Sequence, residues 1–125
     1  MLRGVRGATT AIANEPEAVR TATKNLLVAL TKANALKPGD IAAVIFSSTP
    51  DLNASFPAAA ARELGWNEVP LFGTQEIDCP TGIPLCVRVL ILLNTEKSQH
   101  EIQSIYQAGA VVLRPDLSMT ETRQS

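Results

Sequence analysis

Leu85-Cys86-Val87-Arg88-Val89-Leu90-Ile91-Leu92-Leu93 is apolar at both odd and even positions, with Arg88 as the one exception. A run this short and rich in Val, Ile and Leu reads as a strand covered on both faces. Arg88 complicates that reading, because a guanidinium in the middle of such a strand is expensive to bury without an anionic partner. Two roles meet the requirement. One is an internal salt bridge to one of the twelve acidic residues. The other is a cation held in an apolar cleft, ready for an anionic ligand or for negative charge that develops during a reaction. Position alone does not choose between them.

Working outward from this strand, Leu2 to Thr10 forms a first strand, with Gly4 and Gly7 marking a bulge or a close backbone approach. Asn14-Glu15-Pro16-Glu17 starts a helix, with Asn14 as cap, Pro16 in the first turn and Glu17 reaching back to the cap. Val19, Ala22, Leu26, Leu27, Leu30 and Ala33 then recur at helical spacing and lay one apolar stripe on the core. This main helix ends before Lys37-Pro38-Gly39-Asp40, and Ile41 to Phe46 follows as a continuous apolar strand. After the polar loop Ser47 to Asp51, Phe56 to Leu64 reads as a short helix closed by Gly65. Val69 to Phe72 is the next strand. Beyond Leu93, Ser98-Gln99-His100-Glu101 has the capping-box pattern, so a last helix carrying Ile102, Ile105 and Tyr106 is expected to run to Gly109. Ala110 to Leu113 gives a final short strand stopped by Pro115.

The mixed order, without repeated βαβ units, predicts an α+β fold: a mixed β-sheet with helices on one face. Residues 1–125 form one domain, ending in a polar, mobile tail from Ser118 to Ser125. Three helices cannot cover both faces of so many strands, so the other sheet face is expected to pack against another subunit.

Composition excludes several classes of function. Eleven basic and twelve acidic residues leave a net charge of −1 with no block of like charge, which disfavours nucleic-acid binding. No apolar run approaches the ~18 residues of a membrane span. The start Met1-Leu2-Arg3-Gly4-Val5-Arg6 lacks the apolar stretch of a signal peptide, which predicts a cytoplasmic protein. Cys79 and Cys86 match neither a redox nor a zinc spacing, and His100 is the single histidine.

The remaining chemistry lies in scattered polar residues. Arg6 sits in the first strand and Arg114 at the end of the last; with Arg88 they could hold a small dicarboxylate, since arginine grips carboxylates with two parallel hydrogen bonds. Either is also compatible with an ordinary surface role. Glu76 reads as a loop carboxylate paired with an arginine, or as an acceptor for a ligand hydroxyl. Tyr106, the single tyrosine, is either a half-buried structural residue or a phenol that reaches a ligand. Phe56 fits the core or a pocket wall equally well.

Taken in order, Arg3-Gly4-Val5-Arg6-Gly7-Ala8-Thr9-Thr10, Ser48-Thr49-Pro50-Asp51-Leu52, Phe56-Pro57-Ala58, Arg62-Glu63-Leu64, Gln75-Glu76, Cys86-Val87-Arg88-Val89 and Ala110-Val111-Val112-Leu113-Arg114-Pro115-Asp116-Leu117 resemble the small monofunctional chorismate mutases of the AroH class. The resemblance runs from Arg3 to about Thr120, and the joint match is far more specific than any one piece.

What the resemblance implies is a homotrimer with a pseudo-α/β-barrel core, clefts between subunits and no metal or cofactor. The reaction would be the concerted [3,3] rearrangement of chorismate to prephenate. Position by position, Arg88 would hydrogen-bond the ether oxygen, Arg6 and Tyr106 would bind carboxylate, and Glu76 would accept from the ring hydroxyl. Phe56, Leu71, Phe72, Gly73, Thr74, Gln75 and Leu113 would line the cleft, with Arg114 near its mouth. Gly73 stands where a cysteine is often found, and Ala59 where a lysine can occur. These departures remove a side-chain contact and some cationic steering but none of the four central polar residues. The rivals are a trimeric module that binds a small carboxylate without catalysis, and an enamine or imine hydrolase on a similar scaffold. The first has no need of a cation aimed at an ether oxygen, and the second needs a residue placed to activate water.

Overall fold

The computed structural model describes residues 1–113. Arg114, the Pro115 stop and the polar tail lie outside the described residues. The elements are β1 (Leu2–Thr10), α1 (Pro16–Asn34), β2 (Ile41–Ser48), α2 (Ala58–Glu63), β3 (Leu71–Gln75), β4 (Cys86–Asn94) and β5 (Ile105–Tyr106). The five strands form one mixed sheet in the order β3-β2-β4-β1-β5. β4 lies antiparallel to both β1 and β2, while β3 and β5 add in parallel at the two edges.

Alternation along the strands sorts the sequence into two faces. Val5, Val44, Phe46, Val87, Val89, Ile91 and Leu93 point to one side, where they pack with Val19, Leu26, Leu27 and Leu30 of α1 and with Ala60 and Ala61 of α2. Both helices therefore cover the same face, as the α+β reading expects. The opposite face carries Ala43, Ile45, Leu90 and Leu92, which are only half-buried, and Phe72, which is 66% exposed. A bulge between Ile41 and Ala43 sets this alternation in β2, keeping Ile41 and Val44 on the helix side.

Local chemistry explains the shorter helix. α2 begins at Ala58 rather than Phe56, because Phe56 and Pro57 supply the carbonyls that accept the first turn's N–H groups from Ala59 and Ala60. It ends in a Schellman arrangement: Gly65, at φ +88°, donates to Arg62, and Trp66 donates to Ala61. The following strand starts at Leu71, two residues later than expected, and continues through Gln75 alongside β2.

The expected cap of α1 is different. Glu15 occupies the cap position without a side-chain bond. The Asn14 amide instead ties down the distant loop: it donates to the Asn53 side chain at 2.8 Å and accepts the Asn53 and Ala54 N–H groups, each at 3.0 Å. Glu17 pairs with Arg20 instead of reaching back.

The largest correction concerns 98–109. The Ser98/Glu101 capping box forms, but it closes only one 3₁₀ turn, Gln99–Glu101. Ile102, Ile105 and Tyr106 do not share a helical face. Ile105 and Tyr106 pair with Gly7 and Ala8 of β1, and strand geometry sends Ile105 into the main core and Tyr106 to the opposite face. The expected strand Ala110–Leu113 is also absent. Ala108 turns out of the extended conformation at φ +51°, and Ala108–Val112 forms a 3₁₀ turn held by the Thr10 hydroxyl, which accepts the Gly109 N–H at 2.9 Å.

Gly7 marks a close approach between layers. A Cβ there would lie 2.9 Å from Leu30 Cδ1 and 3.2 Å from both Leu26 Cδ1 and the Ile105 carbonyl oxygen. Gly7→Ala is expected to destabilise the fold by about 1–3 kcal/mol, as overpacking does. Denaturant unfolding checks this, and an unchanged midpoint would mean that α1 yields without cost.

Candidate active site

The outer sheet face brings four strands' side chains into one row. Register places Ser47 of β2 opposite Arg88 of β4, Arg88 opposite Ala8 of β1, and Ala8 beside Tyr106 of β5. Arg6 lies two residues before Ala8 on the same face of β1. Ala8 is fully buried and small, so it forms a floor between the guanidinium of Arg88 and the phenol of Tyr106. Arg6, Ile45, Ser47, Arg88, Leu90 and Tyr106 line a cavity of about 300 Å³ over this row.

The structure gives Arg88 an acidic neighbour, the first of the two roles open to it. Its side chain is 46% exposed, and Nη1 stands 3.8 Å from Glu76 Oε2, near the limit of an ion pair. A pair this long and this exposed contributes about 0–1 kcal/mol, so it orients the guanidinium without consuming it. Glu76 is itself held in place. Its N–H donates to the Ser48 carbonyl at 2.9 Å, and its Oε1 accepts from the Ser47 hydroxyl at 2.8 Å. The Arg6 side chain makes no hydrogen bond or ion pair among the described residues. The site thus presents two guanidinium groups against one carboxylate, a net positive surface suited to an anion.

Tyr106 is only 5% exposed and packs with Ala8, Cys86 and Ala110. Its hydroxyl has no bonding partner within the described residues, and among these residues no buried side-chain polar atom is left unpaired. Tyr106 lines the cavity beside Arg6 and Arg88, and it also lines a neighbouring recess with Thr9, Thr10 and Gln107. Burial pushes the Cys86 thiol above the ordinary range, which makes it a neutral, apolar neighbour. Cys79 is exposed, and hydrogen bonding from Thr81 lowers its thiol.

A second recess of about 790 Å³ shares Arg88 and adds Asp51, Glu76, Cys86 and Leu113. Its wall is fixed by Asp51, whose carboxylate accepts the Leu85 N–H at 2.9 and 3.1 Å and holds that residue at φ +52°. Thr49 accepts the Cys86 N–H at 3.0 Å just before Arg88. Sequence reasoning missed Ser47, Ala8, Thr49 and Asp51 as supports for the site. The two-residue spacing of Ser47 from Ile45, and of Ala8 from Arg6, was the available signal.

Other expected residues fall elsewhere in the chain. Phe56, Gly73, Thr74 and Gln75 line a separate recess of about 620 Å³. Leu71 packs against the main core, and Phe72 is exposed on the outer face. Among the described residues, no group of three or more His, Cys, Asp or Glu side chains is placed to hold a metal ion.

Comparison with known proteins shows the family of the chain. Residues 2–117 match the family described as chorismate mutase type I. The chain is similar to chorismate mutase AroH of Bacillus subtilis (strain 168), at 43% identity over 125 residues that span 99% of this chain and 98% of the relative. It is equally similar to chorismate mutase AroH of Thermus thermophilus, at 43% over 122 residues, 97% of this chain and 100% of the relative. A solved structure, chorismate mutase from Clostridium thermocellum, superposes with a TM-score of 0.86 at 39% identity, covering 87% of this chain and 97% of that one. With the fold and almost the full length matched, the chain belongs to the chorismate mutase type I family.

Proposed function

We propose that the protein is an isomerase that converts chorismate to prephenate, in the biosynthesis of phenylalanine and tyrosine. The observation that carries this reading is the row of Arg6, Arg88 and Tyr106 on one sheet face, with Glu76 beside Arg88. The reaction is an internal rearrangement. The ether C–O bond breaks as a new C–C bond forms, and no atom enters or leaves. No general acid or base is required, so catalysis can come from holding the compact conformer and from fixed charge.

Each residue then has a task. Arg6 and Tyr106 bind carboxylate and hold the folded conformer. Glu76 accepts from the ring hydroxyl, and its tie to Ser47 prevents it from collapsing onto Arg88. Arg88 donates to the ether oxygen, whose negative charge grows as the bond lengthens. That interaction is stronger in the transition state than in the ground state, which is the condition for raising kcat. A rate gain of about 10⁶ corresponds to ~8 kcal/mol of selective stabilisation.

The second half of the cleft comes from a neighbouring subunit in a cytoplasmic homotrimer. Two features support this. Phe56, Gly73 and Gln75 lie in a recess apart from the arginine row, which only Thr74 adjoins through its pairing with Ser47, and the outer sheet face carries half-buried apolar side chains with no helix over them among the described residues. A neighbour placing its recess against the row would close the cleft and cover that face. Among the described residues no helix is long and apolar enough to cross a membrane.

Two measurements test these statements separately. Purified protein given chorismate is expected to form prephenate without added cofactor, and absence of prephenate would overturn the activity. Light scattering, with activity followed through dilution, is expected to show a trimer whose activity falls as it dissociates. A fully active monomer would overturn the shared cleft while leaving the activity intact.

A further inference from the structure

Tyr106 reaches the cavity from the least secure strand of the sheet. β5 has only two residues, and its ladder to β1 consists of Gly7↔Ile105 and Ala8↔Tyr106. A slip of one residue would turn the phenol to the helix side and Ile105 toward the cavity. Something besides this short ladder must fix the register.

After Tyr106 the chain is held by the Gln107 N–H, which donates to the Ala8 carbonyl at 2.9 Å, and by the Gly109 bond to Thr10; before it, the anchor lies at the far end of α1. Asn34 is the helix's last residue, is 3% exposed, and is followed by Ala35 in the left-handed conformation at φ +52°. Its side-chain amide faces the backbone of Gln103 and uses both ends. Oδ1 accepts the Gln103 N–H at 2.7 Å, and Nδ2 donates to the Gln103 carbonyl at 3.0 Å and to the Leu30 carbonyl at 3.1 Å. The amide therefore behaves as a one-residue strand neighbour, satisfying both polar groups of the backbone three residues before Tyr106. The Asn34 carbonyl in turn accepts from Lys97 Nζ at 3.2 Å, which ties the helix end to the chain leading into β5.

We infer that Asn34 is a positioning residue for the reaction: by gripping Gln103 it sets the register of β5 and so holds Tyr106 at the cavity on the opposite face of the sheet. This inference rests on the mutase reading, in which Tyr106 binds carboxylate. Asn34 touches no substrate, and its effect passes through Tyr106 alone.

The test is steady-state kinetics on the wild type, Asn34→Asp, Asn34→Ser, Tyr106→Phe and the double variant Asn34→Asp with Tyr106→Phe. Asn34→Asp keeps the shape and the acceptor for Gln103, and Asn34→Ser sheds the bonds without adding a charge, so that one of them remains folded for measurement. The expected result is a KM raised roughly tenfold, as for Tyr106→Phe, with kcat within about twofold of the wild type. The double variant is expected to be no worse than Tyr106→Phe. A residue that merely stabilised the fold would lower the amount of active protein, leave KM alone and add its effect to that of Tyr106→Phe. Either an unchanged KM or additivity would overturn the inference while the mutase reading stands. A wild type without mutase activity would overturn both.

Discussion

Alternation along β4 sends Val87, Val89, Ile91 and Leu93 into the core and by the same geometry delivers Arg88 to the opposite face. The burial of four apolar side chains therefore fixes where a cation stands. At about 1.5–3 kcal/mol for each fully buried side chain, the core side of this strand far outweighs the weak exposed pair between Arg88 and Glu76. The guanidinium cannot relax into the interior without turning those apolar groups out. Its placement is preorganised by packing, which is what stabilising a developing charge requires.

The rest of the site follows from β4's neighbours. β1 lies antiparallel to it and supplies Arg6 and the small Ala8, while β2 lies on its other side and supplies Ser47. Glu76 extends the pairing of β3 with β2 and so arrives beside Arg88 from across the sheet. Near the start of β4, Thr49 and Asp51 bind the backbone of Cys86 and Leu85 and set the angle at which the strand begins. The sheet is a rigid frame for charges, and only Tyr106 sits on a strand too short to be secured by its ladder.

The central strands could be read directly from the amino-acid sequence because the apolar runs Ile41 to Phe46 and Leu85 to Leu93, rich in β-branched side chains and broken only by Arg88, leave few alternatives. The same holds for α1, whose apolar stripe runs from Val19 to Ala33, about four turns. The segment 98–109 could not be read in this way. Ile102, Ile105 and Tyr106 fit helical spacing, and a two-residue strand with both faces covered gives no periodicity to set against it. The outcome depends on distant partners, Asn34 for Gln103 and Ala8 for Tyr106, which local pattern does not contain. The gathering of Arg6, Arg88 and Tyr106 likewise depends on register across three strands; resemblance pointed to those residues where spacing could not. Ser47 reads as the start of a polar loop because Phe46 ends the apolar run, although β2 continues to Ser48.

In the proposed reaction such a frame would give Arg88 one task that size and charge alone do not fulfil: directing a guanidinium from a fixed strand at the atom where negative charge grows. The decisive measurement is kcat for Arg88→Ala, with circular dichroism establishing that the variant is folded. The account predicts a loss in kcat of at least about 10²-fold in a folded protein, the scale for removing one preorganised donor. A folded Arg88→Ala variant with near-normal kcat would contradict it.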